Sequence, residues 1–435
     1  MARKLFGTDG VRGVAGEKLS ADLALALGRA ATEQAGGAGT RVLVIRDTRE
    51  SGEMLEAALA AGITAAGGEA LLGGVLPTPA APLLIRQYGF DLGVVVSASH
   101  NPYQDNGIKF FGGDSLKLTD DAEEEIEARL EAGFTGNTRI GRSRTLHGTQ
   151  EDYLRALETR FSDLDLSGRK LLLDCANGAT YRVGPEIFRR LGAEVSTLGT
   201  EPDGRNINEG VGSTHIGSLA AAVAEGGYDL GFAFDGDGDR MLAADRSGVP
   251  VDGDELIAIA ALHMRDAGRL EGNGVVVTVM TNYGFHTAMT EVGIEVASTD
   301  VGDRYVLAEL RERGWVLGGE QSGHIIEMGF VPSGDGIASA LLTLEALKGA
   351  DLSERSAMAK LPQKLVNVPV ADKAAALLAV EGPSADENAA LAGRGRVLVR
   401  SSGTEELIRV MVEAPDQAEC DAICARLVAL VDAAA

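Results

Sequence analysis

Short apolar, β-branched runs recur along this chain, and each closes on polar or glycine-rich residues. Arg41-Val-Leu-Val-Ile-Arg-Asp47, Ala70 to Leu76, Leu92 to Val96, Lys170-Leu-Leu-Leu-Asp-Cys175, Tyr228 to Phe234, Gly274-Val-Val-Val-Thr-Val279, Glu295 to Ser298 and Trp315-Val-Leu-Gly318 read as strands. Between them, Glu53 to Ala66, Pro185 to Leu191, Phe285 to Val292 and Asp303 to Arg313 read as helices, and Asp120 to Ala132 as an acidic, exposed one. Such alternation implies βαβ units.

The alternation breaks and restarts. A polar stretch from Thr135 to Thr145 reads as a boundary, and the pattern begins again after it and after Asp254. A smaller tail opens near Lys364, with strands Arg396-Val-Leu-Val-Arg400 and Leu407-Ile-Arg-Val-Met-Val412 and a helix from Asp416 to Ala434. The expected fold class is α/β: three similar mixed α/β domains (1–148, 149–253 and 254–362) plus a smaller C-terminal α+β domain (363–435), around one central cleft. A length of 435 residues suits such an assembly.

Composition narrows the function. A formal net charge of −24 argues against nucleic acid or an anionic membrane as partner, since both need basic patches. If the substrate is a phosphate, its positive counter-charge must be local. Cys175, Cys420 and Cys424 give neither a disulfide framework nor a zinc pattern. The N-terminal residues Met-Ala-Arg-Lys-Leu-Phe-Gly lack an apolar signal core, and no apolar stretch is long enough to span a bilayer, so a cytoplasmic protein is expected.

Candidate chemistry sits where strands end. Ser97-Ala-Ser-His-Asn-Pro102 follows the run Asp91 to Val96, so a hydroxyl lies where open α/β sheets bind ligands. Phe232-Ala-Phe runs into Asp235-Gly-Asp-Gly-Asp-Arg240, three carboxylates at alternate positions, an oxygen-ligand pattern for a hard divalent cation. An EF-hand would need Gly and Glu where Arg240 and Arg246 stand. Gly319-Glu-Gln-Ser-Gly-His324 and Arg400-Ser-Ser-Gly-Thr-Glu405 close two further strands, the second with the makings of an anion nest. Taken singly, the first loop is also compatible with an ordinary Asn-Pro turn, and the acidic loop with a solvated surface. A nucleophilic serine with a cation-binding loop suggests phosphoryl transfer.

Together the loops have a specific likeness. Phe6-Gly-Thr-Asp-Gly-Val-Arg-Gly13, Ser97 to Pro102, Asp235 to Arg240, Gly319 to His324 and Arg400 to Glu405 resemble, in order, the signatures of the α-D-phosphohexomutase family. Gln321, Asp300-Val-Gly-Asp-Arg-Tyr-Val306 and Val211-Gly-Ser-Thr-His-Ile216 are similar to the branch acting on glucosamine phosphates. The phosphoglucomutase/phosphomannomutase branch more often has Met at 321 and is the nearest alternative. Glu406 stands where the family usually has Pro, adding a negative charge near the expected phosphate site.

The resemblance implies interconversion of glucosamine 6-phosphate and glucosamine 1-phosphate through a 1,6-bisphosphate that turns around in the cleft. Ser99 would carry the phosphoryl group, and one Mg²⁺ per subunit would be held by Ser99, Asp235, Asp237 and Asp239. Lys109 would act as general acid/base, its pKa lowered by burial near cations; His100 and His324 would orient, and Arg12 and Arg240 would face the transferring phosphate. Glu320 and Ser322 would hold ring hydroxyls. The distal phosphate would sit on Ser401, Ser402, Gly403 and Thr404, with Arg400 and Arg409 supplying charge. A sugar bisphosphate would serve as intermediate or activator, a small-molecule sugar phosphate as substrate, and a homodimer is allowed. A hinge is expected between Leu361 and Val366.

Overall fold

The computed structural model describes residues 4–134, 139–402 and 405–434. Strand runs that are apolar at every position become strands buried on both faces: Leu92–Val96, Leu230–Phe234 and Gly274–Thr278 are fully buried along their length. That is the signature of sheets covered by helices on either side.

Three α/β sheets form in succession. The first has six strands, in the order Val11–Val14, Asp105–Gly112, Leu92–Val96, Arg41–Arg46, Glu69–Val75 and Arg142–Thr145. The second has five: Pro250–Val251, Met241–Asp245, Leu230–Phe234, Lys170–Asp174 and Glu194–Leu198. The third has four: Glu295–Thr299, Gly274–Thr278, Leu317–Gly319 and Ile325–Glu327. A final antiparallel sheet of three strands, Gln363–Pro369, Leu407–Glu413 and Arg396–Ser401, packs on the helices Lys373–Leu391 and Gln417–Ala433. The architecture is therefore three mixed α/β domains followed by a smaller α+β domain.

One device recurs in the first three sheets. Leu92–Val96, Leu230–Phe234 and Leu317–Gly319 each run parallel to one neighbour and are followed by an antiparallel return, Asp105–Gly112, Met241–Asp245 and Ile325–Glu327 respectively. The loops at 97–104, 235–240 and 320–324 are the turns between them, which is why each chemical motif follows a strand end.

Chain packing groups the molecule into two compact units. The larger comprises 1–279 and 297–355; the smaller comprises 280–296 and 356–435. In the smaller unit, buried Glu413 accepts from Arg396 Nε at 2.6 Å and from the backbone N–H of Tyr283, tying the helix Tyr283–Glu291 to the C-terminal sheet. The larger unit's first core includes Val42, Val44, Val94 and Val96 with Leu27, Leu55 and Leu59 from the covering helices.

Two expectations change. The helix Asp120–Ala132 is not simply exposed: Ile126 enters the first core, and Glu127 accepts from the backbone N–H groups of Lys4, Leu5 and Phe6. The stretch that reads as a boundary carries the strand Arg142–Thr145, which pairs parallel to Glu69–Val75, so the first sheet reaches through it. Cys175, Cys420 and Cys424 are all buried and unpaired with one another. Among the described residues, no helix is long and apolar enough to cross a membrane.

Candidate active site

Ser99 is the centre of a heavily braced loop. Its backbone is left-handed (φ 51°), a conformation a serine holds only when its surroundings over-determine it. Arg49, wholly buried at the end of the strand Arg41–Arg46, supplies that restraint. Its guanidinium donates to the carbonyls of Ser99 and Asn101, both at 2.9 Å, to that of Asp105 at 3.1 Å, to that of Pro102, and to Asp47. Asn208, from the second sheet's domain, donates to the Ser99 carbonyl at 2.9 Å and to that of Asn101 at 3.1 Å. Ser97 Oγ donates to Asp47 and accepts the Ser99 N–H.

The acidic loop packs directly on this one. A side chain at Gly236 would meet the Ser99 carbonyl oxygen at 2.6 Å, so only glycine permits the approach. The result places Ser99 Oγ 2.5 Å from Asp235 Oδ2. Asp235, Asp237 and Asp239 are buried and can each offer one oxygen, all within 4.8 Å of one another. Asp237 Oδ1 and Asp239 Oδ1 have no hydrogen-bond partner although buried. Burial pushes Asp235 well above the ordinary carboxylate range, with Asp239 and Asp237 adding to it; burial and Asp237 raise Asp239 too. An all-oxygen, over-charged cluster with orphaned oxygens fits a hard divalent cation, which would satisfy both the charge and the lone pairs.

Lys109, on the return strand Asp105–Gly112, is buried with Nζ 2.8 Å from Asp237 and 3.0 Å from Asp9. Its pKa is raised, contrary to the expected lowering. Burial alone favours the neutral amine, but the carboxylates of Asp237 and Asp9 outweigh it. Asp237 is lowered in exchange, Lys109 overcoming the effect of burial, and Thr78 Oγ1 donates to it at 2.7 Å. His100 Nδ1 lies 3.2 Å from Ser99 Oγ; burial and the nearby Arg240 and Arg12 lower its pKa to about 4, so the ring is neutral at pH 7.

A cavity of about 470 Å³ opens over these groups within the larger unit. Ser99, His100, Arg12, Asp239, Arg240, Glu320 and His324 all line it, so three loops and the N-terminal segment converge on one space. Glu320 Oε1 accepts from the Gly302 N–H at 3.1 Å, His324 Nε2 accepts from the Gly334 N–H at 3.3 Å, and the buried Ser322 Oγ has no partner. Gln321 does not line the cavity; its amide donates to Asp252, the N-cap of the helix Gly253–Asp266.

In the smaller unit, Arg400 and Arg409 stand directly opposite each other on adjacent strands. Like charges so placed repel unless an anion or carboxylate intervenes. Ser401 ends the strand, and Ser402 Oγ accepts from the Glu405 N–H at 3.2 Å. Gly403 and Thr404 lie outside the described residues.

Several site residues escape a reading of the sequence alone. For Asp47 and Arg49 the signal that could have found them is a pair of opposite charges just after the strand Arg41–Arg46. Asp9 and Asp303 fall inside the motif stretches 6–13 and 300–306, which mark the segments but give neither carboxylate a role. Thr78, Asn208 and Lys117 carry no comparable signal, because their contacts depend on approaches across long stretches of chain.

Comparison with known proteins agrees along the chain's length. Four profiles described as phosphoglucomutase/phosphomannomutase match: the first α/β/α domain at residues 3–136, the second at 151–248, the third at 252–365 and the C-terminal domain at 365–430. The chain is 52% identical to the phosphoglucosamine mutase of Moorella thermoacetica, with 98% of each covered. It is 48% identical to that of Pseudomonas putida, with 99% of each covered. A solved phosphoglucomutase/phosphomannomutase family protein from Burkholderia thailandensis superposes with a TM-score of 0.83 at 25% identity, covering 99% of this chain and 97% of its own. With four domains in the family's order and relatives alike end to end, the chain belongs to the phosphoglucomutase/phosphomannomutase, or α-D-phosphohexomutase, family of isomerases.

Proposed function

We propose that this protein interconverts glucosamine 6-phosphate and glucosamine 1-phosphate, with Ser99 as the phosphoryl carrier. The placement of Ser99 Oγ against Asp235 at the edge of a cation-ready triad carries the mechanistic part. The amino-sugar substrate rests on whole-length similarity to phosphoglucosamine mutases at 52% and 48% identity. In this reading the product feeds UDP-N-acetylglucosamine and cell-wall synthesis.

Asp235, Asp237, Asp239 and an oxygen on Ser99 would hold Mg²⁺, which when bound neutralises charge on the phosphoryl oxygens. The phosphoryl group leaves Ser99 Oγ as its P–O bond breaks, and a new P–O bond forms to the free hydroxyl of the sugar phosphate. Ser99 Oγ gains a proton as it departs, and the sugar hydroxyl loses one as the new bond forms. Lys109, kept charged by Asp237 and Asp9 in the free protein, is the acid at Nζ in this exchange and takes up the hydroxyl proton only after giving its own away. Arg12 and Arg240, both on the cavity wall, hold the transferring oxygens. The resulting 1,6-bisphosphate turns around, and its other phosphoryl group returns to Ser99. Glu320 and Ser322 bind ring hydroxyls common to both orientations, with His100 and His324 fixing local geometry. The distal phosphate is assigned to Arg400, Ser401, Ser402, Gly403, Thr404 and Arg409.

The four functional segments are taken as 1–148, 149–253, 254–362 and 363–435, with a hinge at Leu361 to Val366, and a homodimer is allowed. Three buried thiols without a disulfide suit a reducing cytoplasm. The test is phosphorus NMR with Mg²⁺, a trace of sugar bisphosphate, and glucosamine, glucose or mannose 6-phosphate in parallel. Fastest appearance of the 1-phosphate from glucosamine 6-phosphate is expected. Faster conversion of glucose or mannose 6-phosphate would overturn the amino-sugar assignment and leave the mechanism.

A further inference from the structure

A line of alternating charges runs along the cavity. Asp237 meets Lys109, Lys109 meets Asp9, Asp9 meets Lys117, and Lys117 meets Asp303. Asp9 and Asp303 line the cavity from opposite parts of the chain: the N-terminal segment of the first domain and the start of the helix Asp303–Arg313 in the third. Lys117 follows the return strand that carries Lys109, and its half-buried side chain ends between the two carboxylates, 2.5 Å from Asp9 Oδ1 and in contact with Asp303 Oδ2. Asp9 also pairs through Oδ2 with Arg12.

We propose that Lys117 is a positioning residue for phosphoryl transfer, acting through Asp9 on Arg12 and Lys109 and through Asp303 on the opposite cavity wall. This rests on the assignment of Ser99 as phosphoryl carrier in the same cavity. Three cations, Lys109, Lys117 and Arg12, share the Asp9 carboxylate. Asp303 has Lys117 as its ion-pair partner, with His324 Nε2 more distant at 3.8 Å. Without Lys117, the two carboxylates it bridges would face each other with no cation between them, an arrangement that like charges resist. Asp9 and Asp303 would then separate, and Arg12 and Lys109, held by Asp9, would move with it. Arg12 and Lys109, the groups Lys117 positions, act on the transferring phosphoryl group and the proton, so its effect should fall mainly on turnover.

The experiment compares wild type, Lys117→Met, Lys117→Arg and the double variant Lys117→Met/Asp303→Asn, by steady-state kinetics on whichever hexose 6-phosphate the wild type converts fastest, with thermal melting alongside. Displacement of about 1 Å at a reacting centre costs on the order of 10²-fold in rate, so Lys117→Met should lose about that much in kcat with KM within about threefold. Lys117→Arg, which keeps the charge, should recover most of the loss. The double variant, relieved of one unpaired carboxylate, should be more active than Lys117→Met alone. A Lys117→Met enzyme with kcat within about threefold of wild type overturns the proposal. So does a loss that appears only as lowered melting temperature, or one that Lys117→Arg leaves untouched. Wild-type protein that converts none of the sugar phosphates would overturn the catalytic reading itself, and this proposal with it.

Discussion

Ser97 Oγ donates to Asp47 Oδ2 at 2.6 Å and in turn accepts the backbone N–H of Ser99 at 3.0 Å. Two serines two residues apart thus have different work: one is a wholly buried strut, the other presents its hydroxyl to the acidic triad. Ser99→Ala should abolish turnover, and because it takes the Ser99 hydroxyl from the buried Asp235 carboxylate it should also cost roughly 1–3 kcal/mol of stability. Ser97→Ala removes one partner from the buried Asp47 carboxylate and should cost roughly 1–3 kcal/mol of stability while retaining measurable activity. Denaturant melts and turnover assays on the two variants check this. Equal kinetic losses would sink the distinction.

The triad predicts a cation-dependent stability. Three buried carboxylates, two of them with an orphaned oxygen, repel one another until a divalent cation binds. Adding Mg²⁺ to chelator-stripped protein should raise the melting temperature. A concentration one hundred times Kd contributes about 2.7 kcal/mol. Asp235→Asn removes one of the three oxygen ligands, so this variant should respond weakly to Mg²⁺. Calorimetry of both proteins with and without the ion decides it. An unchanged wild-type melt would argue against a cation at these three residues.

The sequence disclosed strand ends well and side-chain partnerships poorly. Leu92–Val96 and Asp303–Arg313 are formed as the apolar pattern predicts, since buried strands and helices with a distinct apolar face leave periodic signals. Helices such as Gly253–Asp266 and Gly336–Leu347 did not stand out: their first nine residues are all buried, so no polar face marks the period there. The short return strands Met241–Asp245 and Ile325–Glu327 carry too few residues for a pattern. At the site, motif residues were legible because they cluster locally. The lowering expected for Lys109 failed because Asp9 and Asp237 come from distant segments and set its charge instead.

Asp335 should leave a mark on the pH dependence of stability. It caps the helix Gly336–Leu347, is wholly buried, and accepts from Tyr153 at 2.9 Å on both oxygens. Burial pushes its pKa from the ordinary 3.8 up to about 7, the Ala338 N–H and Tyr153 only partly opposing it. Between those values the folded protein keeps a proton that the unfolded chain has released. Stability from this group is therefore full below the lower value, falls as pH rises through the window, and levels off above it. The fall is at most roughly 4 kcal/mol. Asp335→Asn keeps an acceptor for Tyr153 and should flatten that part of the curve. Denaturant midpoints at pH 5 and pH 8 for both proteins give the answer, and parallel curves would refute the shift.

Glu406, where the family usually has proline, need not weaken phosphate binding as its charge suggests. Its exposed carboxylate lies 3.1 Å from Lys373 Nζ, and the same ammonium reaches the carbonyls of Ser402 and Glu405 at 3.4 and 3.3 Å. Lys373 therefore offsets the added charge and braces the loop backbone at once. Exposed pairs are worth little, about 0–1 kcal/mol, so the net field at the proposed phosphate site changes only slightly. Glu406→Gln should accordingly alter KM by no more than about threefold. Lys373→Met removes the brace and leaves Glu406 uncompensated, so it should raise KM further, and more at low ionic strength than at high, where screening weakens the carboxylate's repulsion. Kinetics at two salt concentrations separate the cases. A tenfold fall in KM for Glu406→Gln would mean that the carboxylate does oppose the phosphate despite Lys373.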